Sequence, residues 1–520
     1  MLTFKEIDQI RAGRWEIDCS EITLTGRGGA ARYQGPGSLR QMPTGRLGFK
    51  LYGDVSGSKL FAFGSGAAGE IIPDSEFYDL HALDVTGHVW TSEHFLVHEH
   101  GTVDGSRSVF TGELWRLVHR YEFRGSAPET VVLRSFQDLE IPFNSATITQ
   151  TAVAGMEPVQ AFNTNASRFP ACGMQFVLTR DVSGLVVTIS TAEAALPAHI
   201  ETRFEEALQF VLAHPVAWTI IEKSAGKNGS VELRALPERE IRPPRAEPPI
   251  SFRHVLAPDE VWQMCARYLA HVLPYEPPEG RVWYHPLSDL VHAVLEASKA
   301  SIDAEALELS VAVEGLLNQE FPDLGHPTAE MAAELDRALT VVSQSDLSPD
   351  VKKRIDGAVR AMKKPSAKDK LRELVKAGAI TKEQVGAWDD LRNPSSHGVR
   401  AHERELQDVV DLCGRVLVLF YHLIFWRIAY RGRYTDYGTK SWPTAEYRPE
   451  NSSPAVQPSK PVETPGRTNL LRAANRLIRE WVTGIWTRWA TFWPWRHRRE
   501  GFGSASSSEI WRGKLRIRRL

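Results

Sequence analysis

The chain has 520 residues, a formal charge of -2 and an apolar share of 42%, enough for about three domains with substantial cores. Its four cysteines, Cys19, Cys172, Cys265 and Cys413, lie far apart, which excludes a disulfide framework and a cysteine-based metal motif and fits reduced, mostly buried thiols. The opening Met1-Leu-Thr-Phe-Lys-Glu-Ile-Asp-Gln9 carries acidic residues too early for a secretory signal, so a cytoplasmic location is expected.

Strand-like runs recur between turn signals through the first half: Trp15 to Thr25, Arg46 to Tyr52, His88 to Val97, Ser108 to Phe123, Thr130 to Leu139, Met174 to Leu178 and Leu185 to Ser190. Within the third, His88, His94, His98 and His100 are evenly spaced, so an uninterrupted strand would put them on one face. Three such histidines suit zinc, but ordinary polar-face residues are the expectation, and no metal is assigned. Ala198 to His214, containing Arg203-Phe-Glu-Glu-Ala-Leu208, reads as an amphipathic helix. Val216 to Glu222 and Ser230 to Leu236 read as a closing strand pair around Gly226-Lys-Asn-Gly229. A mainly β domain over residues 1–236 follows from this pattern. Pro237, Pro243, Pro244, Pro248 and Pro249 then predict a stiff, extended linker over 237–250.

Helical periodicity takes over from 251 to 438. Ala306, Leu309, Val313, Leu316 and Leu317 make one apolar stripe, and Met331, Leu335, Leu339 and Val342 another. Leu406, Val409, Val410, Cys413, Val416, Leu417, Phe420, Leu423 and Ile424 make a third, sustained over many turns. The apolar run Val416 to Trp426 is too short to span a bilayer and reads as a core helix. The expected fold class is therefore α+β, multidomain, with an all-α bundle behind the β-rich domain.

Just before the last long helix stands Leu391-Arg-Asn-Pro-Ser-Ser-His-Gly398. Thr381 and Gln384 form a capping box, with Val385, Trp388 and Leu391 following on a buried face. Pro394 disfavours helix at Asn393, so Arg392 is expected at a helix end and His397 in a turn, with a new helix from about Ala401. A permanent cation and a near-neutral acid/base in one loop suit chemistry on a phosphodiester. On spacing alone, Arg392 paired to Asp389 and His397 capping the next helix is the commoner arrangement. Arg400, His402 and Arg404 cluster at the start of that next helix, where they serve as RNA phosphate contacts or as a solvated charged turn.

The segment 439–466 is rich in Pro and Ser without apolar period and reads as disordered. From Arg467 to Leu520 there are thirteen Lys and Arg against three Glu, and six of the fifteen tryptophans. This basic tail carries an apolar stripe from Leu470 to Trp493. A membrane interface is its first reading, docking on the protein's own surface its second, and RNA capture its third.

The Arg-Asn-x-x-x-His-Gly loop, the Trp-containing helix before it and Tyr434-Thr-Asp-Tyr437 after the last helix resemble the HEPN ribonuclease superfamily over roughly Ser251 to Gly438. The order of β-rich domain and helical domain resembles ApeA-type antiphage proteins. The resemblance implies a metal-independent, cofactor-free endoribonuclease, in which the RNA 2'-hydroxyl attacks the adjacent phosphorus to leave a 2',3'-cyclic phosphate. His397 would be general base or acid, Arg392 would bind the scissile phosphate, and Asn393 would orient the loop, with Glu314 and Asp389 as weaker candidates for orienting groups. It implies a homodimer that faces two loops together, tRNA or other cellular RNA as substrate, and a phage-derived trigger acting through the N-terminal domain. A catalytically silent scaffold that binds RNA or a protein partner is the alternative.

Overall fold

The computed structural model describes residues 2–27, 32–42, 44–54, 71–101, 107–151, 159–181, 184–192, 195–236, 244–252, 258–277, 284–396 and 406–449. A short capped helix, α1 (Phe4–Arg11), precedes a thirteen-stranded antiparallel sheet. Its strands are β1 (Glu16–Gly26), β2 (Arg32–Gln41), β3 (Leu47–Asp54), β4 (Tyr78–Asp84), β5 (Val89–Phe95), β6 (His98–Gly101), β7 (Arg107–Leu114), β8 (Arg116–Ser135), β9 (Ser145–Thr151), β10 (Val159–Ala171), β11 (Met174–Asp181), β12 (Gly184–Ser190) and β13 (Ile220–Arg234). They lie in the order β6-β7-β3-β2-β1-β4-β5-β8-β12-β11-β10-β9, with β13 on β8. The fold is α+β: this sheet comes first and a helical region follows.

The long pair β8 and β13 joins two halves of the sheet. The first half of β8 carries β5, with Trp90 opposite His119, and its second half carries β12, with Val187 opposite Leu133. β13 runs antiparallel to almost all of it, from Ile220 opposite Arg134 to Arg234 opposite Arg116. The expected hairpin at Gly226-Lys-Asn-Gly229 is thus a register shift inside one long strand. Gly226, at φ +59°, supplies the left-handed residue a bulge needs, so the chain kinks without reversing. Leu24, Phe49, Trp90 and Phe110 fill a core on the β1 to β7 side.

The other half of the sheet shares its core with the helices. These are α2 (Ile200–Leu212), α3 (Pro258–Val272), α4 (Pro286–Ala300), α5 (Ile302–Glu320), α6 (Ala329–Gln344), α7 (Pro349–Met362), α8 (Ala367–Lys376), α9 (Lys382–Ser396) and α10 (Leu406–Arg427), followed by the small hairpin β14 (Gly432–Thr435) and β15 (Thr444–Tyr447). Phe169 of β10 stacks on Trp262 of α3 with ring centroids 5.0 Å apart, and the Trp262 indole N–H donates to the Pro142 carbonyl at 3.0 Å. Phe176, Phe204 and Trp218 continue the same apolar mass. The proline-rich segment over 244–252 is pinned to the helices: Arg245 reaches Glu305 at 3.1 Å, Tyr421 donates to the Glu247 carbonyl at 2.5 Å, and Tyr437 to that of Pro248 at 2.7 Å.

Three sequence expectations change. α2 is buried on every side, all thirteen residues of it, rather than amphipathic against solvent. The Met331 stripe does not enter the bundle core. α6 buries only Leu335 and α7 only Val359, and the two helices pack on each other, leaving Met331 51% exposed. On α10, Leu406 and Val410 are exposed, whereas Val409, Cys413, Val416, Leu417, Phe420, Leu423 and Ile424 are buried as the spacing predicts. By length and composition α10 is apolar enough to cross a membrane, yet its apolar face is spent on the core. Three cysteines are buried and Cys172 is exposed, all as free thiols.

Because sheet and helices share one core, Trp262→Ala should cost about 3–5 kcal/mol and destabilise both together. Urea unfolding followed by far-UV circular dichroism and by tryptophan fluorescence should give coincident transitions that shift equally; separate sheet and helix transitions would reject the shared core.

Candidate functional site

α9 begins with the expected capping box. The Gln384 N–H donates to Thr381 Oγ1 at 3.3 Å and the Thr381 N–H to Gln384 Oε1 at 2.9 Å. Ala387, Trp388 and Leu391 face the core, and the Trp388 indole donates to the Ser310 carbonyl of α5 at 3.2 Å. Gln384 Nε2 also meets His422 Nδ1 of α10 at 3.0 Å, and burial pushes His422 down to about 3, so its ring is neutral at ordinary pH. α9 is therefore held on two sides before it reaches the motif.

Arg392 lies one turn beyond Trp388. Its guanidinium stands 5.2 Å from the Trp388 ring centroid and donates to Glu314 of α5 at 2.9 Å, with both side chains 40% exposed. Asp389 does not take Arg392; it pairs with Lys368 of α8 at 2.9 Å. The carboxylate that orients the arginine is thus Glu314, contributed from a different helix. A pair this open to water adds little stability, and the Arg392 side chain remains 40% exposed.

The helix does not stop at Asn393. α9 continues through Pro394 to Ser396, so Arg392 and Asn393 sit in its last turns and not in a loop. A proline in mid-helix loses one backbone hydrogen bond and crowds the carbonyl four residues back. Here only two residues follow it, so the disturbance falls in the terminal turn, where few bonds remain to be lost. Of Asn393 only the backbone is described, and His397, Arg400, His402 and Arg404 lie outside the described residues.

The four histidines of the β-rich half do not share a face. His94, near the end of β5, adopts φ 59° and so leaves the strand's alternation, and a new strand begins at His98. It stacks on Phe77 at 3.8 Å and meets Asp74 at 3.2 Å. His88 contacts Asp84 and Thr86, and His100 contacts Thr111. His88, His94 and His100 are thus each accounted for by their own neighbours.

A second polar cluster, unsuspected from spacing, lies where α2 meets α4. Arg203 and Glu206, both buried, pair within α2. Glu206 also accepts from the His285 N–H at 3.2 Å and Ser288 Oγ at 2.8 Å. Glu205 accepts from the Tyr284 hydroxyl, and Gln209 donates to Tyr284 at 3.1 Å. Burial pushes Glu205 up to about 7 against the lowering effect of Tyr284. The cluster runs on to His271 and Glu320, whose Nε2 and Oε2 are 3.2 Å apart, while Arg427 Nε donates to the same oxygen at 2.6 Å. Burial opposes charge on Glu320, but His271 and Arg427 outweigh it and bring the group to about 2.

Ligand atoms of His271, His285 and Glu320 lie within 4.8 Å of one another, the distance range of metal ligands. Two features argue against a metal there. Arg427 already supplies a cation to Glu320, and His285 Nδ1 accepts the Leu287 N–H at 3.1 Å as the N-cap of α4. With that lone pair engaged, the other ring nitrogen of a neutral His285 carries the proton and has none to offer. The set is better understood as a charge network tying α3, α4, α5 and α10 together.

On the β-rich side, a depression of about 350 Å³ is lined by Arg120, Glu129, His199, Glu201, Lys223 and Asn228, among others. Glu201, in the first turn of α2, holds Lys223 at 2.7 Å through Oε1, and its buried Oε2 has no hydrogen-bond partner among the described residues.

No family model, curated protein or solved structure matches this chain.

The raised Glu205 gives a pH signature. A carboxyl that stays protonated in the fold to about 7, against 4.5 as its ordinary value, binds a proton that the unfolded chain has released. Stability must then fall as pH rises from about 4.5 through 7, by up to about 3 kcal/mol from this group. Burial raises Glu206 to about 7 as well, so Glu205→Gln, which keeps an acceptor for Tyr284, should reduce that fall by about half in urea midpoints measured between pH 5 and 8; an unchanged slope would show that Glu205 is ionised in the fold.

Proposed function

We propose that the chain is a metal-independent endoribonuclease of the HEPN type, kept in check by its β-rich half. The observation that carries this reading is the placement of Arg392. It is steadied by Glu314 and Trp388, partly open to solvent, and five residues ahead of His397. A fixed but accessible guanidinium is what a scissile phosphate requires, since it must bind the ground state and stabilise the charge that grows as the 2'-hydroxyl attacks. His397 supplies the proton transfer, with an ordinary pKa of about 6.5 that allows both protonation states near neutrality. Asn393, one residue on from Arg392, orients the loop, and Arg400, His402 and Arg404 contact flanking phosphates.

One arginine and one histidine do not readily serve as base, acid and oxyanion holder together, so two copies face each other. Leu307 and Val311 share the exposed side of α5 with Glu314 at helical spacing, and Leu406 and Val410 are exposed on α10. This apolar surface beside Arg392 supports a two-fold contact there. For regulation, α2 is the element that a trigger would bias. Its first turn lines the depression at Glu201, and its next turn carries the buried charges that bind α4. On this reading the enzyme cuts tRNA or other cellular RNA when a phage component arrives. The basic tail, which lies outside the described residues, is assigned to the membrane interface.

Purified full-length protein should leave 2',3'-cyclic phosphate ends on RNA in the presence of a chelator, and Arg392→Ala and His397→Ala should each lower the rate by at least about a thousandfold. Identical RNA patterns from all three proteins would leave the silent scaffold as the surviving reading. Glu314→Gln should behave differently from either. Because the ion pair is open to water, stability should change by less than about 1 kcal/mol, while cleavage should fall about tenfold as the guanidinium loses its fixed direction. An unaltered cleavage rate would remove Glu314 from the site.

A further inference from the structure

The stretch from Asp350 to Lys376 holds ten Lys and Arg against four Asp and Glu, in a chain whose overall charge is -2. Of the six basic residues from Lys352 to Lys364, three share one side of α7. At 100° per residue, Lys353, Gly357 and Arg360 fall with Lys364, just past the helix end, within an arc of about 60° on α7. Lys352 and Lys363 point elsewhere, towards α6, where Lys352 Nζ donates to the Ser343 carbonyl at 3.1 Å and Lys363 pairs with Asp336. The row therefore lies on the flank of the α6–α7 hairpin, beside the packed face and open to a large partner.

Its charges are only partly answered. Arg360 pairs with Asp356 at 2.7 Å, but Lys353 and Lys364 have no anionic partner among the described residues. Lys368, four residues past Lys364 and 45% exposed, reaches Asp389 on α9. Asp389 is three residues before Arg392, so the row of cations ends one helical turn from the arginine of the motif. From Lys353 to Lys364 it covers about 16 Å at ~1.5 Å per residue, several nucleotides of a helical strand.

We infer that Lys353, Arg360 and Lys364 of the α7 flank, with Lys368 of α8, form a track that holds the phosphate backbone of an RNA stem and leads it to Arg392. The track rests on the ribonuclease reading for its setting and adds to it where the body of the substrate lies. Lysines and arginines on one exposed face recognise backbone charge and not sequence, so the substrate class is structured RNA whose stem extends past the cut. Gly357 fits this role: a Cβ there would meet nothing within 4 Å, so the middle of the row is open surface.

The test uses the full chain carrying Arg392→Ala, which spares the probe, and a fluorescent RNA hairpin of roughly 12 base pairs followed by anisotropy across salt concentrations. Lys353→Glu, Arg360→Glu and Lys364→Glu combined should weaken binding about 30-fold at low salt and reduce the slope of log affinity on log salt by about three. Gly357→Lys should tighten binding about threefold and Gly357→Glu weaken it by a similar factor. The gain is the decisive arm, since a damaged protein does not bind more tightly. Equal affinities and slopes across the series would overturn the track, as would a loss confined to phosphatidylserine vesicles with RNA binding intact. If the row variants lose the hairpin while the unmutated chain leaves RNA uncut, the ribonuclease reading fails and the track stands. If the chain cuts RNA and the variants bind the hairpin as the parent does, the track fails and the ribonuclease reading stands.

Discussion

Arg203 and Glu206 neutralise each other inside α2, a helix with no solvent-facing side, and the junction of sheet and helices is built around that pair. Moving two such charges out of water is costly, and their attraction offsets the cost only if the remaining hydrogen-bonding capacity is also satisfied. Here it is met from α4: the His285 N–H and Ser288 both donate to Glu206, and Tyr284 donates to Glu205 beside it. The same constraint therefore fixes the fold and its register. α2 belongs to the chain segment that ends the sheet, α4 to the helical region, and neither can slide without stranding a buried charge. Apolar packing alone, through Phe204, Phe176 and Trp262, would tolerate such sliding better, because hydrophobic contact is not directional.

The contrast with Arg392 is instructive. Arg203 is wholly enclosed and serves structure, whereas Arg392 has its carboxylate and an aromatic face yet keeps much of its surface in water. Lys368 takes Asp389, one helical turn before Arg392, and Glu314 of α5 is an orienting partner for the arginine. An arginine held from a neighbouring helix is aimed across the gap between α5 and α9, not back along its own helix. That direction, more than the pairing energy, is what the arrangement contributes.

Much of this was readable from spacing. The alternation in β1, β3, β11 and β12, the capping box of α9 and the buried stripes of α5 and α10 all follow from period and end signals. The failures have physical causes. β2, which is not among the strand-like runs, contains Gly35-Pro36-Gly37. A Cβ at Gly35 would stand 2.0 Å from the Tyr52 carbonyl oxygen and one at Gly37 as close to that of Lys50, so these glycines are there for close approach between strands. Pro394 falls near enough to a helix end to be accommodated. The Met331 stripe has helical period but only α7 to pack on, and period does not reveal how much partner surface is available. α2 was the most misleading, since its four ionisable residues, Glu201, Arg203, Glu205 and Glu206, imitate a solvated face when all four are buried.

The local charge ledger of the α6–α7 hairpin bears on what a projecting pair of helices is for. α6 is acidic and α7 basic, and Lys363 with Asp336 shows the two signs meeting between them. Had the basic residues served only to hold the hairpin together, they would gather on the face turned to α6, where Val359 is buried and Lys352 and Lys363 point. Lys353, Arg360 and Lys364 instead occupy the adjoining flank, where mutual repulsion slightly destabilises a helix. On the proposed reading, a row of like charges on an exposed face is matched by an extended anion that runs from α7 to the last turns of α9.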